Sequence, residues 1–429
     1  MVIIVSNPAL YRPLPIRLLS LCSFMLTTSA QAAGFLEDSR LQLDLRNFYM
    51  NRDYREANTS DVPRHNGQPQ TKAEDWGQGF LLRVGSGFTE TPVGLGLDAL
   101  GLYGIKLDAG RGTSGTGVLV RNPTSGESES EFGFLGLTVK AKVSQTRLTL
   151  GTHEPLLPIV FRNDTRMLPQ TFEGAQLVSK DVEKLSLTAG QFNKTRWRDS
   201  TNYTELNMSA AGAIGGVASN RFNYAGASGS FIGNVTGTYY YADLESNYHQ
   251  HFVGLAHQLS LTETLSLKTD LRWFKSGAEG RTNIDNQYIG GMVTVGWLSH
   301  AVSFVYQDQR GKTGMPFVSG ADAFTPNTIS YQNFLRAQED AWQLRYDYNF
   351  SPLGFPGMTF MGRHVQGAGF KVGNESAREW ERDLELAYVI QSGFAKNLAV
   401  RWRNITYRGS RTVDVNENRL IFSYTYTFR

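Results

Sequence analysis

Fourteen cationic side chains fall on the polar parity of alternating segments: Arg40, Arg46, Arg83, Lys106, Lys140, Lys142, Arg147, Lys268, Arg272, Arg345, Arg363, Arg401, Arg403 and Arg419. A guanidinium grips a carboxylate through a two-pronged fork, whereas an ammonium acts as a compact point charge. Set along low-dielectric walls that face water, such cations focus a field that draws anions in. The chemistry on offer is anion binding and passage, with no bond made or broken. The competing reading is neutralisation of each cation by Asp44, Asp98, Asp270, Asp347 or Glu385 on neighbouring segments. Clustering toward the first and last segments, which adjoin when a sheet closes on itself, favours a functional row.

The segments that carry these cations read as strands. Successive side chains of a strand point to opposite faces, so a period of two separates two environments. In the closing run Leu420, Phe422, Tyr424, Tyr426 and Phe428 share one parity, and Arg419, Ser423, Thr425 and Thr427 the other. Similar alternation marks 40–46, 80–84, 135–143, 265–273, 342–350 and 400–403. A soluble edge strand this aromatic would invite aggregation; a lipid-facing one would not. Short connections at 351–357 and 391–397 contrast with long polar ones at 52–75, 109–131, 309–340 and 367–378. Short turns on one side and long loops on the other suit a barrel in a membrane. The expected fold is therefore all-β, a transmembrane antiparallel up-and-down β-barrel. Eighteen strands would give about 22 residues per strand and connection.

Arg12 and Arg17 precede an apolar run, and Ala30-Gln31-Ala32 offers a small-x-small cleavage site. Residues 1–32 therefore read as an export signal and 33–429 as one barrel domain. The lone cysteine, Cys22, lies in that signal, so no disulfide or thiol chemistry is expected of the remainder. Nowhere in 33–429 is there a run near the roughly 18 apolar residues of a transmembrane helix. A net charge of +3 is not that of a nucleic-acid binder, so positive charge must act through placement.

The segment 154–170 carries three prolines and mixed polarity, poor strand material that suits a loop folded into the pore. Phe161, Arg162, Asp164 and Arg166 are its candidate constriction residues, with Asp322 and Tyr331 from a second long loop. Other motifs carry little. Gly110-x-Gly112-x-x-Gly115 leads into no helix that could cradle a phosphate. His249-x-His251 lacks a third metal ligand nearby. No Gly-x-Ser-x-Gly elbow accompanies the scattered Ser, His and Asp. No metal, cofactor or catalytic residue is expected.

The chain resembles the OprD family of substrate-specific outer-membrane channels across essentially all of 33–429. The resemblance rests on 34–39, 45–53, Gln78-Gly79-Phe80, 93–98, Leu168-Pro169-Gln170-Thr171-Phe172-Glu173-Gly174, 342–347, 357–361, Glu379-Trp380-Glu381-Arg382-Asp383, 388–393 and 417–420. It implies an 18-stranded barrel in the outer membrane of a Gram-negative bacterium. It also implies a basic ladder along the lumen, inward-folded loops and uptake of small carboxylates. The segments 168–174, 379–383 and 401–404 look most like the branch linked to cyclic and aromatic carboxylates. A channel for basic amino acids and peptides, or an outer-membrane hydrolase, is the alternative. Implied partners are organic carboxylates, outer-membrane lipid and the barrel assembly machinery. That machinery reads a terminal hydrophobic residue, yet here Arg429 follows Phe428.

Overall fold

A computed structural model of the protein describes residues 33–55, 63–65, 67–410 and 412–428. Residues 1–32, expected to be the export signal and holding Cys22, and Arg429 lie outside the described residues. Eighteen long strands run in order. They are β1 (Arg40–Tyr54), β2 (Lys72–Gly85), β3 (Gly94–Asp108), β4 (Glu131–Val143), β5 (Thr146–His153) and β6 (Thr171–Ser179). Next come β7 (Leu185–Arg196), β8 (Phe222–Ile232), β9 (Val235–Leu244), β10 (Tyr248–Ser260), β11 (Leu265–Ala278) and β12 (Asp285–Trp297). The last six are β13 (His300–Gly311), β14 (Asp340–Asn349), β15 (Met358–Val372), β16 (Glu375–Val389), β17 (Ala399–Gly409) and β18 (Val415–Phe428). Each pairs antiparallel with its chain neighbours. The last closes on the first in continuous register from Leu41↔Phe428 to Tyr54↔Val415. Closure leaves no sheet edge in lipid, where an unpaired N–H or C=O finds no water. Among the described residues no helix is long and apolar enough to cross a membrane.

Alternation then sorts the side chains. Leu135, Leu137, Val139, Phe304, Leu344, Trp402 and Tyr426 are exposed on the outside, where lipid takes the place of water. The polar parity faces the lumen. On β6 to β12 the lumen parity is apolar as well: Phe172, Phe192, Phe222, Phe252, Phe274, Tyr248 and Tyr288 are almost completely buried. Their cover comes from connecting segments, through Ile159, Val160, Leu206, Met315, Val318 and Leu335. One half of the lumen is thus filled by a core of its own.

The expected loop at 367–378 is instead strand. Residues 358–372 and 375–389 form one hairpin, because Gly369 (φ 87°) absorbs a register shift between Ala368 and Lys371 that keeps the pairing going. A long connection not singled out by sequence, 197–221, also folds inward, and Met208 pairs with Val318 across the lumen.

The inward seat of the 154–170 segment is cut into the wall. A Cβ at Gly77 would lie 2.8 Å from the Met167 sulfur, and one at Gly79 2.7 Å from Met167 Cγ. Met167 and Leu168 fill that space and are 0% and 1% exposed. Gly79→Val should therefore unseat the loop while leaving the barrel closed. A refolded variant with raised single-channel conductance is the expected result; unchanged conductance would show that the seat does not set the aperture.

Candidate functional site

All fourteen lumen candidates project from the wall into the interior, and most are held by a carboxylate. Arg46 pairs with Asp164 (2.7 Å), Lys140 with Asp98 (2.5 Å), Arg272 with Asp270 (2.6 Å) and Arg345 with Asp347 (2.7 Å). Arg83 bridges Asp44 and Glu154, Arg363 meets Asp383 at 2.6 Å, and Arg401 and Arg403 share Glu385. A fork held by one carboxylate keeps its orientation and further N–H donors. Lys106 donates to the Ser128 carbonyl (2.8 Å). Among the described residues no ion pair involves Arg40, Lys142, Arg147 or Lys268, so theirs is the positive charge least cancelled on the wall.

Arg419 is a different case. It is 1% exposed, pairs with Glu417 at 2.5 Å and donates to the Ser330 carbonyl at 2.6 Å. The Ser330 hydroxyl donates to Asp383 (2.7 Å) and accepts from Arg363 (3.1 Å) and Arg403 (3.3 Å). Glu381 accepts the next two backbone N–H groups, from Tyr331 (2.9 Å) and Gln332 (2.8 Å). Part of the cationic row, with the buried acids of β16, therefore clamps the 312–339 loop to the wall. Arg419 reaches the solute path only through that loop.

The two inward loops meet over the pore. The Asp322 N–H donates to the Phe161 carbonyl at 2.9 Å, and the Phe161 and Phe324 rings lie 5.6 Å apart. Arg272 stands 3.9 Å over the Phe324 ring. Arg162 spans Glu154 (3.4 Å) and Asp164 (3.5 Å), tying the first loop to Arg46 and Arg83. Phe161, Arg162, Asp164 and Asp322 are thus brought together. Arg166 and Tyr331 stand elsewhere, in a cavity of about 510 Å³ shared with Arg52, Arg121, Arg198 and Asp199. Arg166 donates to the Thr116 carbonyl at 3.0 Å, and Arg52 lies 4.9 Å over the Tyr331 ring and 2.7 Å from Glu417.

Sequence reasoning missed Arg52 and Arg198. Arg52 shares the parity of Arg46 in β1, so its signal was present but was assigned to a loop. Arg198 follows the end of β7 and carries no periodic signal. Burial raises the Asp322 carboxyl to about 6, against the pull of Arg198 and Arg166. Burial likewise pulls Arg166 and Arg198 below the usual guanidinium range.

A closed antiparallel barrel with charged walls and inward loops defines a membrane channel of the porin class. The match to the family described as outer membrane porin, OprD family, spans residues 33–428, and the chain belongs to that family. Porin-like protein GalP of Pseudomonas putida is 38% identical over 93% of this chain and 94% of its own. Porin D of Pseudomonas aeruginosa is 32% identical over 92% of both. Among solved structures, a BenF-like porin from Pseudomonas fluorescens Pf-5 is 36% identical with a TM-score of 0.86. Pseudomonas aeruginosa OpdK with vanillate is 34% identical with a TM-score of 0.84; each structure covers 92% of this chain and is itself covered completely. The protein is an outer-membrane channel of a Gram-negative bacterium.

Asp322 sits between the loops, so its charge acts on the aperture. As pH falls from 7.5 through about 6 it takes up a proton and the constriction loses one negative charge. Anion preference, read as reversal potential in a salt gradient, should rise over that range. Asp322→Asn should show the low-pH value already at pH 7.5 and flatten the profile.

Proposed function

We propose that the channel admits small organic carboxylates, cyclic and aromatic monocarboxylates foremost, by passive diffusion. One observation carries this reading: a cavity of about 490 Å³ brings Lys268, Arg272 and Arg345 together with the rings of Phe161 and Phe324. A carboxylate finds cations there and an apolar ring finds aromatic faces. Arg272 is already paired with Asp270, so Lys268 supplies the charge that an arriving anion meets. Outside the constriction, Arg52, Arg121, Arg166 and Arg198 stand against Asp199 and the Arg52 partner Glu417 and form a funnel of net positive charge. Binding must stay weak enough for release, so several shallow sites in series serve better than one deep one. The vanillate of the solved relative belongs to the same chemical class, which supports the reading.

The solute leaves chemically unchanged, and the channel is no enzyme on this reading. Residues 1–32 act as the export signal on this reading.

In planar bilayers, benzoate-like acids should cause brief, concentration-dependent interruptions of a small current, and arginine should not. Interruption by arginine with silence to benzoate would move the protein to the basic amino acid reading. Lys268→Gln should lower the interruption frequency about tenfold at low salt and less at high salt, as screened attraction requires. Replacing Arg52 and Arg198 together by Gln should slow solute association by about 10-fold or more while leaving the open-channel current measurable.

A further inference from the structure

The outward face of the barrel carries charge of its own, and it is unevenly matched. Outward cations elsewhere sit beside carboxylates: Lys275 by Asp285 (3.5 Å), Arg310 by Asp308 (2.6 Å), and Lys72 by Glu74. On β16 and β17 three arginines, Arg378, Arg382 and Arg408, share the lipid-facing parity. Arg408 is held by Asp414 (3.4 Å), just before β18, by the Tyr407 (2.8 Å) and Val415 (2.9 Å) carbonyls and by Asn416 (2.8 Å), which leaves Arg378 and Arg382 as the open donors. Arg378 and Arg382 flank Trp380, whose register partner on β17 is Arg408. Arg378 makes no ion pair among the described residues. Arg382 spends only one nitrogen on protein, donating to Asn404 (2.8 Å) and Thr406 (2.9 Å). Its Nε–H and Nη1 donors have no protein acceptor among the described residues, and it is exposed.

Depth sharpens the point. From Tyr388 to Arg382 the outward face reads Tyr388, Leu386, Leu384, Arg382. At about 3.4 Å per residue and a tilt of 35–45°, that climb is roughly 16 Å of an apolar band about 25 Å tall. Arg382 therefore leaves the wall inside the outer half of the membrane and must reach upward to the headgroup level. Just below it Gly362 lies between Tyr346 and Leu384 in register, and the Phe360 ring and Leu384 pack over it to give an apolar patch on the lipid face.

We propose that Arg378 and Arg382, with the positive charge of Arg408 beside them, bind the phosphates of an acylated, phosphorylated glycolipid of the outer leaflet. Its chains lie along the apolar faces of β15 to β17, over Phe360, Leu384 and Leu386. Charge complementarity selects this occupant: a forked donor suits phosphate, and the outer leaflet brings phosphate and acyl chain to the same depth. Trp380 fits the junction of chain and headgroup. A second copy of the chain would bring the same three positive charges and is disfavoured.

The test uses the full barrel refolded into detergent free of glycolipid and titrated with bisphosphorylated lipid A, dephosphorylated lipid A or phosphatidylglycerol. Bound lipid is counted by native mass spectrometry. Bisphosphorylated lipid A should bind at least tenfold tighter than the other two. Replacing Arg378, Arg382 and Arg408 together by Gln should abolish that margin, and replacing Lys275 and Arg310 should preserve it. Single-channel current confirms that each variant has folded. If the triple variant does not refold, the wild-type comparison decides alone. Equal binding of phosphorylated and dephosphorylated lipid A overturns the proposal, as does phosphatidylglycerol binding as tightly, or full retention in the triple variant.

Discussion

Everything in this protein depends on one requirement, that no backbone N–H or C=O meet lipid unpaired. A strand satisfies its backbone only through neighbours, so in a membrane the sheet must close. Closure of β18 on β1 meets the demand. It also creates an inside. Strand alternation then delivers lipid-compatible side chains outward and water-compatible ones inward from the same stretch of chain. The cationic wall is a consequence of that geometry: only a closed sheet gives Arg83 or Arg345 water on one side and an apolar shell behind.

The interior is built by balancing charge more than by accumulating it. Unpaired cations along a narrow wall would repel one another and lose their orientation. Carboxylates such as Asp98, Asp270 and Asp347 hold their partners in place while leaving donors directed at the lumen. On the proposed function, selectivity falls to the few cations without a carboxylate and to the arginines around Arg52 and Arg198. Ser330 shows the other use of the same residues. There Arg363, Arg403 and Arg419 act as clamps on a loop, so one chemical row both shapes the aperture and lines it.

The narrowing has a hydrophobic origin. Lumen-facing aromatics on β6 to β12 would be exposed to water in an open barrel. The loops at 154–170, 197–221 and 312–339 bury them, and the aperture is what remains. Aromatic side chains face lipid on β18, whereas Phe192, Phe252 and Phe274 face the lumen and are buried there. A period of two reports which residues share a face, and it cannot report what covers that face.

Strand identity, the lumen parity of all fourteen cations and the inward bend of 154–170 were legible because each is a local signal. Period two, proline content and turn residues are written in consecutive positions. The union of Phe161 with Phe324, the hub at Ser330 and the buried role of Arg419 join residues from about 30 to 160 positions apart in sequence. No spacing rule links such positions, and their partners are chosen by packing once the barrel has closed. By itself the sequence determined a closed, two-faced sheet with a charged interior. Only the tertiary structure decided which of those charges face the solute and which hold the walls, because burial and pairing are properties of neighbours in space.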